Sequence, residues 1–543
     1  MALSDEEREK LAAKYESPAW KPSPVVVPPV WKNARAGVWA TILLVFFWLL
    51  STTRVPLQRC DDFYVYVGAA SIASGQGFSD ISRPDKPPLL KYPPLRSLIQ
   101  VPFLPLLKDN IRPLRYVAIF CFAVGLFVLY PVLRRLLTHR QALFVLLAIG
   151  FNSATVRVAN FEGNAGITFL LWILTYRVVD KFVEKPGNPI ASGAILGGLL
   201  TLCFYCHRMA FSLIPVVLLY LYWRKQQKVA AIAGAITLLC CFPWLLRSWQ
   251  YSGHWISPEY EWEITTRIEQ SSTQSRGGLL QTILYAAKEL LKLPLEIGYG
   301  LFPWWKGSGG APWQLLSKLH LEIIGPVSSY IVGLLSLFGF VKQIREKRSV
   351  AEFHFIAHCL MLALFFMAFQ YLIIFIPYFY LWLFVGLQPW PKIRRVVLLL
   401  CLSISIAKSI VAFWFFPAAL EDKDVRWAWV PKVVPASDTV YYLGLDNYAL
   451  APLRWFDTNR MAMGVTEAEI QRILDYGKNQ SIHWVSLPIN HPLANSLEAN
   501  GWTQVAWENL SDTPPEMQSA LSDAQRNFLR LREGPQALWK RPD

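Results

Sequence analysis

Cys60-Asp-Asp-Phe-Tyr-Val-Tyr-Val-Gly-Ala-Ala-Ser-Ile-Ala-Ser-Gly-Gln-Gly77 follows an apolar run, Ala36 to Leu50, and this junction decides how the chain reads. A run of that kind is long enough to begin a membrane helix. Asp61 and Asp62 then fall at a membrane surface. After them Tyr64, Val67, Ala70 or Ser71, and Ser74 recur at helical spacing, which predicts an interfacial amphipathic helix that stops at Gly75. Next comes Arg83-Pro-Asp-Lys-Pro-Pro-Leu-Leu-Lys-Tyr-Pro-Pro-Leu95. Its prolines lack backbone donors and hold the chain extended. Lys86, Lys91 and Arg96 are thereby expected in an ordered basic loop near the lipid headgroups, where cations suit a phosphate or pyrophosphate on a lipid carrier.

Outward from the junction the same alternation of apolar runs and polar turns continues. Of the 543 residues, 54% are hydrophobic and only 17% charged, a balance that fits lipid better than water. The net charge of +15 does not point to nucleic acid, because the basic residues sit in short clusters between apolar runs. About eleven runs approach membrane-spanning length, near 36–53, 114–133, 141–158, 164–180, 190–205, 209–223, 229–247, 322–341, 352–369, 371–388 and 396–416. With residues 1–35 as a cytoplasmic leader and no cleavable signal peptide, alternate loops carry Arg134, Arg135 and Arg140, then Lys181 and Lys185, then Arg224, Lys225 and Lys228, then Lys342, Arg345, Lys347 and Arg348, then Lys392, Arg394 and Arg395. The intervening short turns hold little charge, Glu162 in one and Arg208 in another. The expected domains are the leader, a membrane region over 36–420 with outer loops at 54–112 and 248–321, and a non-cytoplasmic tail over 421–543. The tail alternates strand-like runs (438–443, 483–487, 503–507) with a helical stretch (466–476), the pattern of a small α/β domain. This topology brings Asp61, Asp62, Glu162, His207 and Arg208 to one membrane face.

The order of these features resembles the GT-C fold membrane glycosyltransferases, the protein mannosyltransferase and aminoarabinose transferase-like group related to glycosyltransferase family 39. The shared marks are acidic residues after the first span, a helix ending in a small-residue-Gly turn, and the Lys91-Tyr-Pro-Pro94 loop. Asn160-Phe-Glu-Gly-Asn164 opens the fourth span, where that group often carries a second acid. Phe242-Pro-Trp-Leu-Leu-Arg-Ser-Trp-Gln-Tyr-Ser-Gly253 is similar to its Pro-Trp-x-x-Arg-Asn turn, and Gln370-Tyr-Leu-Ile-Ile-Phe-Ile-Pro377 to its Arg-Tyr-Leu…Pro element. Ser248 replaces the usual Asn and Gln370 the usual Arg, so a phosphate role at position 370 is not carried over.

The resemblance implies an all-α polytopic membrane protein and an inverting transfer of a sugar from a polyprenyl-phosphate donor to an acceptor (lipid, glycan or protein) outside the membrane. Such a transfer needs a base for the acceptor and cations for the departing phosphate. Asp61 is the expected base, with Asp62 as the alternate. Glu162 orients the acceptor or helps to hold a divalent cation, Mg or Mn, and the lipid-phosphate donor needs no nucleotide site. Tyr64, Lys86, Lys91, Tyr92, Arg96, Asn164, His207, Arg208 and Arg247 are the expected substrate-binding residues. The alternatives are a transporter or flippase of a lipid-linked sugar, or a glycan ligase or polymerase. Transporters favour mid-span polar groups, and here the spans are nearly free of mid-membrane charge apart from Lys408. Cys203-Phe-Tyr-Cys206-His207 matches a haem-attachment spacing, but in an apolar hairpin the cysteines read as small hydrophobes. His354 and His358, four apart on one helix, read as structural.

Overall fold

A computed structural model of the chain describes residues 30–51, 61–81, 86, 88–106, 115–159, 165–207, 209–255, 279–302, 324–346, 348–365, 367, 369–410, 440–443, 462–465, 484–488, 492–507 and 536–540. Residues 1–29 of the expected leader, the segments 256–278 and 303–323 and the predicted helix at 466–476 lie outside these residues, while 30–35 already belong to the first helix. Helices dominate up to residue 410: α1 (Val30–Ser51), α2 (Asp61–Ala73), α3 (Leu95–Gln100), α4 (Arg115–Leu136), α5 (His139–Phe151), α6 (Ser153–Ala159), α7 (Ala165–Glu184), α8 (Pro189–Cys206), α9 (Ala210–Trp223), α10 (Gln227–Ser252), α11 (Leu279–Leu291), α12 (Leu293–Leu301), α13 (Ile324–Glu346), α14 (Val350–Phe365), α15 (Phe369–Leu372), α16 (Ile376–Gly386) and α17 (Pro391–Ile410).

Their ends follow local chemistry. Thr138 and Gln141 form a reciprocal capping box that starts α5, Asn188 caps α8 ahead of Pro189, and Gly253 ends α10 with a left-handed φ of 73°. Among the described residues four helical stretches are long and apolar enough to cross a membrane, Arg115–Arg134, Pro189–Cys206, Gln227–Ser252 and Ile324–Glu346. Shorter apolar helices include Ala36–Ser51, His139–Phe151, Ala210–Trp223, Val350–Leu364 and Ile373–Gly386. Each coincides with one of the apolar runs in the sequence. Large apolar side chains such as Phe120, Leu219 and Leu239 remain exposed on the outside, a surface suited to lipid.

The helices pack by close approach and by buried polar ties. A Cβ at Gly333 would lie 1.7 Å from the Pro294 carbonyl oxygen, and one at Gly339 the same distance from that of Trp382. Glycine at these positions lets α13 touch α12 and α16 backbone to backbone, as small residues do between membrane helices. Trp48 donates to the Gly150 carbonyl at 2.9 Å, and Asn152 to that of Gly300 at 2.6 Å. Both join elements more than a hundred residues apart.

Beyond residue 410 the described residues form a five-stranded sheet of β1 (Val440–Leu443), β2 (Ala462–Val465), β3 (Trp484–Pro488), β4 (Thr503–Trp507) and β5 (Gln536–Lys540), in the order β2-β1-β3-β5-β4, with helix α18 (Leu493–Ala499) between β3 and β4. β1 is parallel to β2 and β3, whereas β5 is antiparallel to β3 and β4. The three predicted strands correspond to β1, β3 and β4. β2 and β5 are additional, since four or five mixed residues among Gly, Pro and charge give no clear period of two.

Candidate functional site

α2 begins at Asp61, so both aspartates occupy its first turn; their side chains lie outside the described residues. The helix ends where expected, with Gly75 and Gly77 in left-handed turns at φ 73° and 75°. It is not the half-exposed interfacial helix that the spacing suggested. Val65, Tyr66, Val67, Ala69 and Ser71 are all buried, on both sides of the helix. The reason is a close crossing with α3. A Cβ on Gly68 would lie 2.4 Å from the Phe78 ring and 2.6 Å from the Ser97 hydroxyl, and that hydroxyl donates to the Val65 carbonyl at 2.9 Å. Side-chain periodicity cannot report a covering segment that comes from thirty residues downstream.

The proline-rich loop folds back on this pair. Ser79 and Pro88 form an isolated antiparallel bridge, and the Leu89 amide donates to the Phe78 carbonyl at 3.1 Å. Arg247, near the end of α10, locks the closure by donating to the carbonyls of Leu89 (2.9 Å) and Phe78 (2.8 Å). Its guanidinium also lies 5.3 Å from the Trp244 and Tyr251 ring centres. Arg247 thus brings the loop to the membrane helices, and two of its nitrogens are engaged in doing so.

The loop delivers a compact cation–aromatic cluster. The Lys91 ammonium sits 5.8 Å from the Tyr64 ring centre and 5.7 Å from that of Tyr92, and the two tyrosines meet edge to face at 5.8 Å. Arg96 stacks on Tyr92 at 4.8 Å. Its Nε donates to the Cys206 carbonyl at the end of α8, at 2.8 Å. Arg96 is only 1% exposed, yet among the described residues neither of its terminal nitrogens has a hydrogen-bond partner. A buried guanidinium with two unused donors is costly unless an anion meets it. Lys86 stands exposed on the same loop with φ 42°, a left-handed conformation that costs on the order of 1 kcal/mol for a residue with a Cβ.

Four sequence-expected residues, Tyr64, Lys91, Tyr92 and Arg96, therefore meet. His207, in extended backbone directly after Cys206, accepts from the Met209 amide at 3.0 Å through Nδ1. Glu162, Asn164 and Arg208 lie outside the described residues. No sequence signal marks Arg115, fully buried at the start of α4, or buried Asp80. A charge just before an apolar run reads as an interface charge. Among the described residues no three His, Cys, Asp or Glu groups come together to hold a metal ion. Cys203 and Cys206 are free, buried and paired with the Thr175 and Thr168 hydroxyls at 3.6 and 3.3 Å.

The fold resembles the GT-C fold of membrane glycosyltransferases, and the segment that carries this cluster matches part of one family's sequence profile. Residues 91–247 match the sequence profile of the dolichyl-phosphate-mannose-protein mannosyltransferase family, a segment that begins at Lys91 and ends at Arg247. The structure is similar to that of ArnT from Cupriavidus metallidurans bound to undecaprenyl phosphate, with a TM-score of 0.55 and 11% identity over 93% of this chain and 99% of that one. The apo form of the same protein gives a TM-score of 0.53 at 12% identity, with the same coverage. No curated protein matches the chain by sequence.

Proposed function

We propose that the chain is an inverting glycosyltransferase that moves a sugar from a polyprenyl-phosphate donor to an acceptor on the outer side of the membrane. The observation that carries this reading is the buried Arg96, with two terminal nitrogens unpartnered, stacked beside the Lys91–Tyr64–Tyr92 cluster. It supplies donors where a departing phosphate gathers charge. The ArnT structure with bound undecaprenyl phosphate supports a donor of this chemical class.

In this reading Asp61 or Asp62, in the first turn of α2, takes the proton of the acceptor hydroxyl or amine as it attacks the anomeric carbon. The bond to phosphate breaks on the opposite face, which inverts that carbon. Lys91, Arg96 and Lys86 hold the phosphate, with His207 and its sequence neighbour Arg208. Tyr64, Tyr92 and Asn164 border the sugar, and Glu162 orients the acceptor or shares a divalent cation. Arg247 serves the site by holding its loop. The lysine and arginine clusters between apolar runs support eleven spans, a cytoplasmic N-terminus, a membrane region over 36–420 and a tail from 421 on the outer side, in the inner membrane of a bacterium.

The test is Asp61→Asn and Asp62→Asn, made separately and assayed for transfer from polyprenyl-phosphate mannose and polyprenyl-phosphate aminoarabinose. One variant is expected to lose about 10²–10⁴-fold in rate, the usual worth of a general base. Full transfer by both variants would remove the aspartates from the mechanism. Flipping of the lipid-linked sugar in proteoliposomes, with no transfer product, would replace the enzyme by a transporter.

A further inference from the structure

Away from the cluster, five residues from four elements form one continuous buried hydrogen-bonded chain. Tyr176 on α7 bonds to Nδ1 of His354 on α14. Nε2 of His354 and Nδ1 of His358 each lie 2.9 Å from the Ser212 hydroxyl on α9. Nε2 of His358 lies 3.1 Å from the carbonyl oxygen of Tyr371 on α15. The two imidazoles are fully buried, with Trp172 at 4.6 Å and 5.7 Å and Phe375 at 5.3 Å and 5.4 Å from their centres.

The terminal carbonyl sets every hydrogen in this chain. A carbonyl only accepts, so His358 carries its proton on Nε2, and its Nδ1 must accept. Ser212 therefore donates its single hydrogen to His358 and accepts from Nε2–H of His354. His354 Nδ1 is then left to accept from the Tyr176 hydroxyl. The one competing acceptor is the Met209 carbonyl, 2.8 Å from the Ser212 oxygen. Donation to Met209 would leave Nδ1 of His358 facing the Ser212 oxygen with no hydrogen between them, or would put a second proton and a charge among Trp172 and Phe375. With two neutral rings, one arrangement satisfies every contact between the side chains.

Two members of this chain touch irregular backbone. At its end the helix around Tyr371 passes from α15 into a 3-10 turn, Ile373–Phe375, before α16. At its middle, Ser212 bonds to Met209, shortly after the end of α8, whose last residue Cys206 anchors Arg96. We infer that Ser212, His354 and His358 are positioning residues that fix the break at Tyr371 and the backbone at Met209 to one another, and so set the backbone that anchors Arg96. This inference rests on the glycosyltransferase reading for its effect on rate, but not for the linkage itself.

The test uses the full chain in nanodiscs with Ser212→Ala, His354→Gln and, as the conservative rescue, Ser212→Thr. Hydrogen exchange followed by mass spectrometry reads the linkage without any assay of activity. Peptides covering 207–212 and 369–375 are both expected to exchange about tenfold faster in Ser212→Ala, with the α13 peptides unchanged and Ser212→Thr near wild type. Kinetics then reads the role, with kcat for transfer from polyprenyl-phosphate mannose or aminoarabinose expected to fall about tenfold while the donor KM moves less than about threefold. Faster exchange in one segment alone, or in neither, would overturn the linkage, and His354→Gln decides the matter if Ser212→Ala does not fold. Faster exchange in both with unchanged kcat would overturn the positioning role. Absence of transfer by the wild-type chain would instead remove the glycosyltransferase reading, leaving the exchange result to judge the linkage.

Discussion

Arg247 and Arg96 differ in what their guanidinium groups meet. Arg247 donates to two backbone carbonyls of a loop, and lysine cannot reproduce that fork. Arg247→Lys is expected to cost about 1.5–3 kcal/mol, the worth of hydrogen bonds to a charged group, read as a lower Tm and faster proteolysis between residues 78 and 89. Arg96 spends one nitrogen on Cys206 and leaves two unpartnered. Arg96→Lys keeps the charge and loses the planar donors, so the donor KM should rise about tenfold with less change in kcat, as measured by initial rates over a donor series. The sequence places both arginines near headgroups and calls both phosphate ligands. It cannot separate them, because what distinguishes them is which carbonyls lie within reach, and those come from residues 78, 89 and 206.

Among the elements, α13 presents the narrowest tolerance. Gly339 lies against the Trp382 carbonyl, and Ser336 donates to that of Phe379 at 3.0 Å. Gly339→Ala must push α13 from α16, at a cost of about 1–3 kcal/mol typical of overpacking, visible as a lower Tm in detergent. The positions of the helices were legible because apolar runs and basic turns alternate, and the caps at Thr138, Asn188 and Gly253 carry their own residue signatures. The covering of α2 was not legible. Its residues Tyr64, Val67 and Ser71 have the spacing of one helix face, yet Val65, Tyr66 and Ala69 on the other side are buried as well, and Gly68 meets Phe78 and Ser97. Small residues at a close crossing look like the weak side of an amphipathic helix when the partner is unseen.

At the scale of the whole molecule, the chain divides by physics into a helical part facing lipid and a sheet that is not. Trp539, buried on β5 between β3 and β4, anchors that sheet. Trp539→Ala should cost about 3–5 kcal/mol there and expose residues after 440 to protease while helix content up to 410 persists in circular dichroism. The Arg247 clamp has a further meaning for how the protein is made. It reaches back 158 residues to Leu89, so the clamp cannot close on the loop until the helix that carries Arg247 has been made. At roughly 5–20 residues per second a ribosome needs about ten to thirty seconds to supply that stretch. During that interval the nascent chain carries its lysines and aspartates as an unclosed polar strand, so assembly of the pocket is timed by translation and falls late, after most of the helices before it have been inserted.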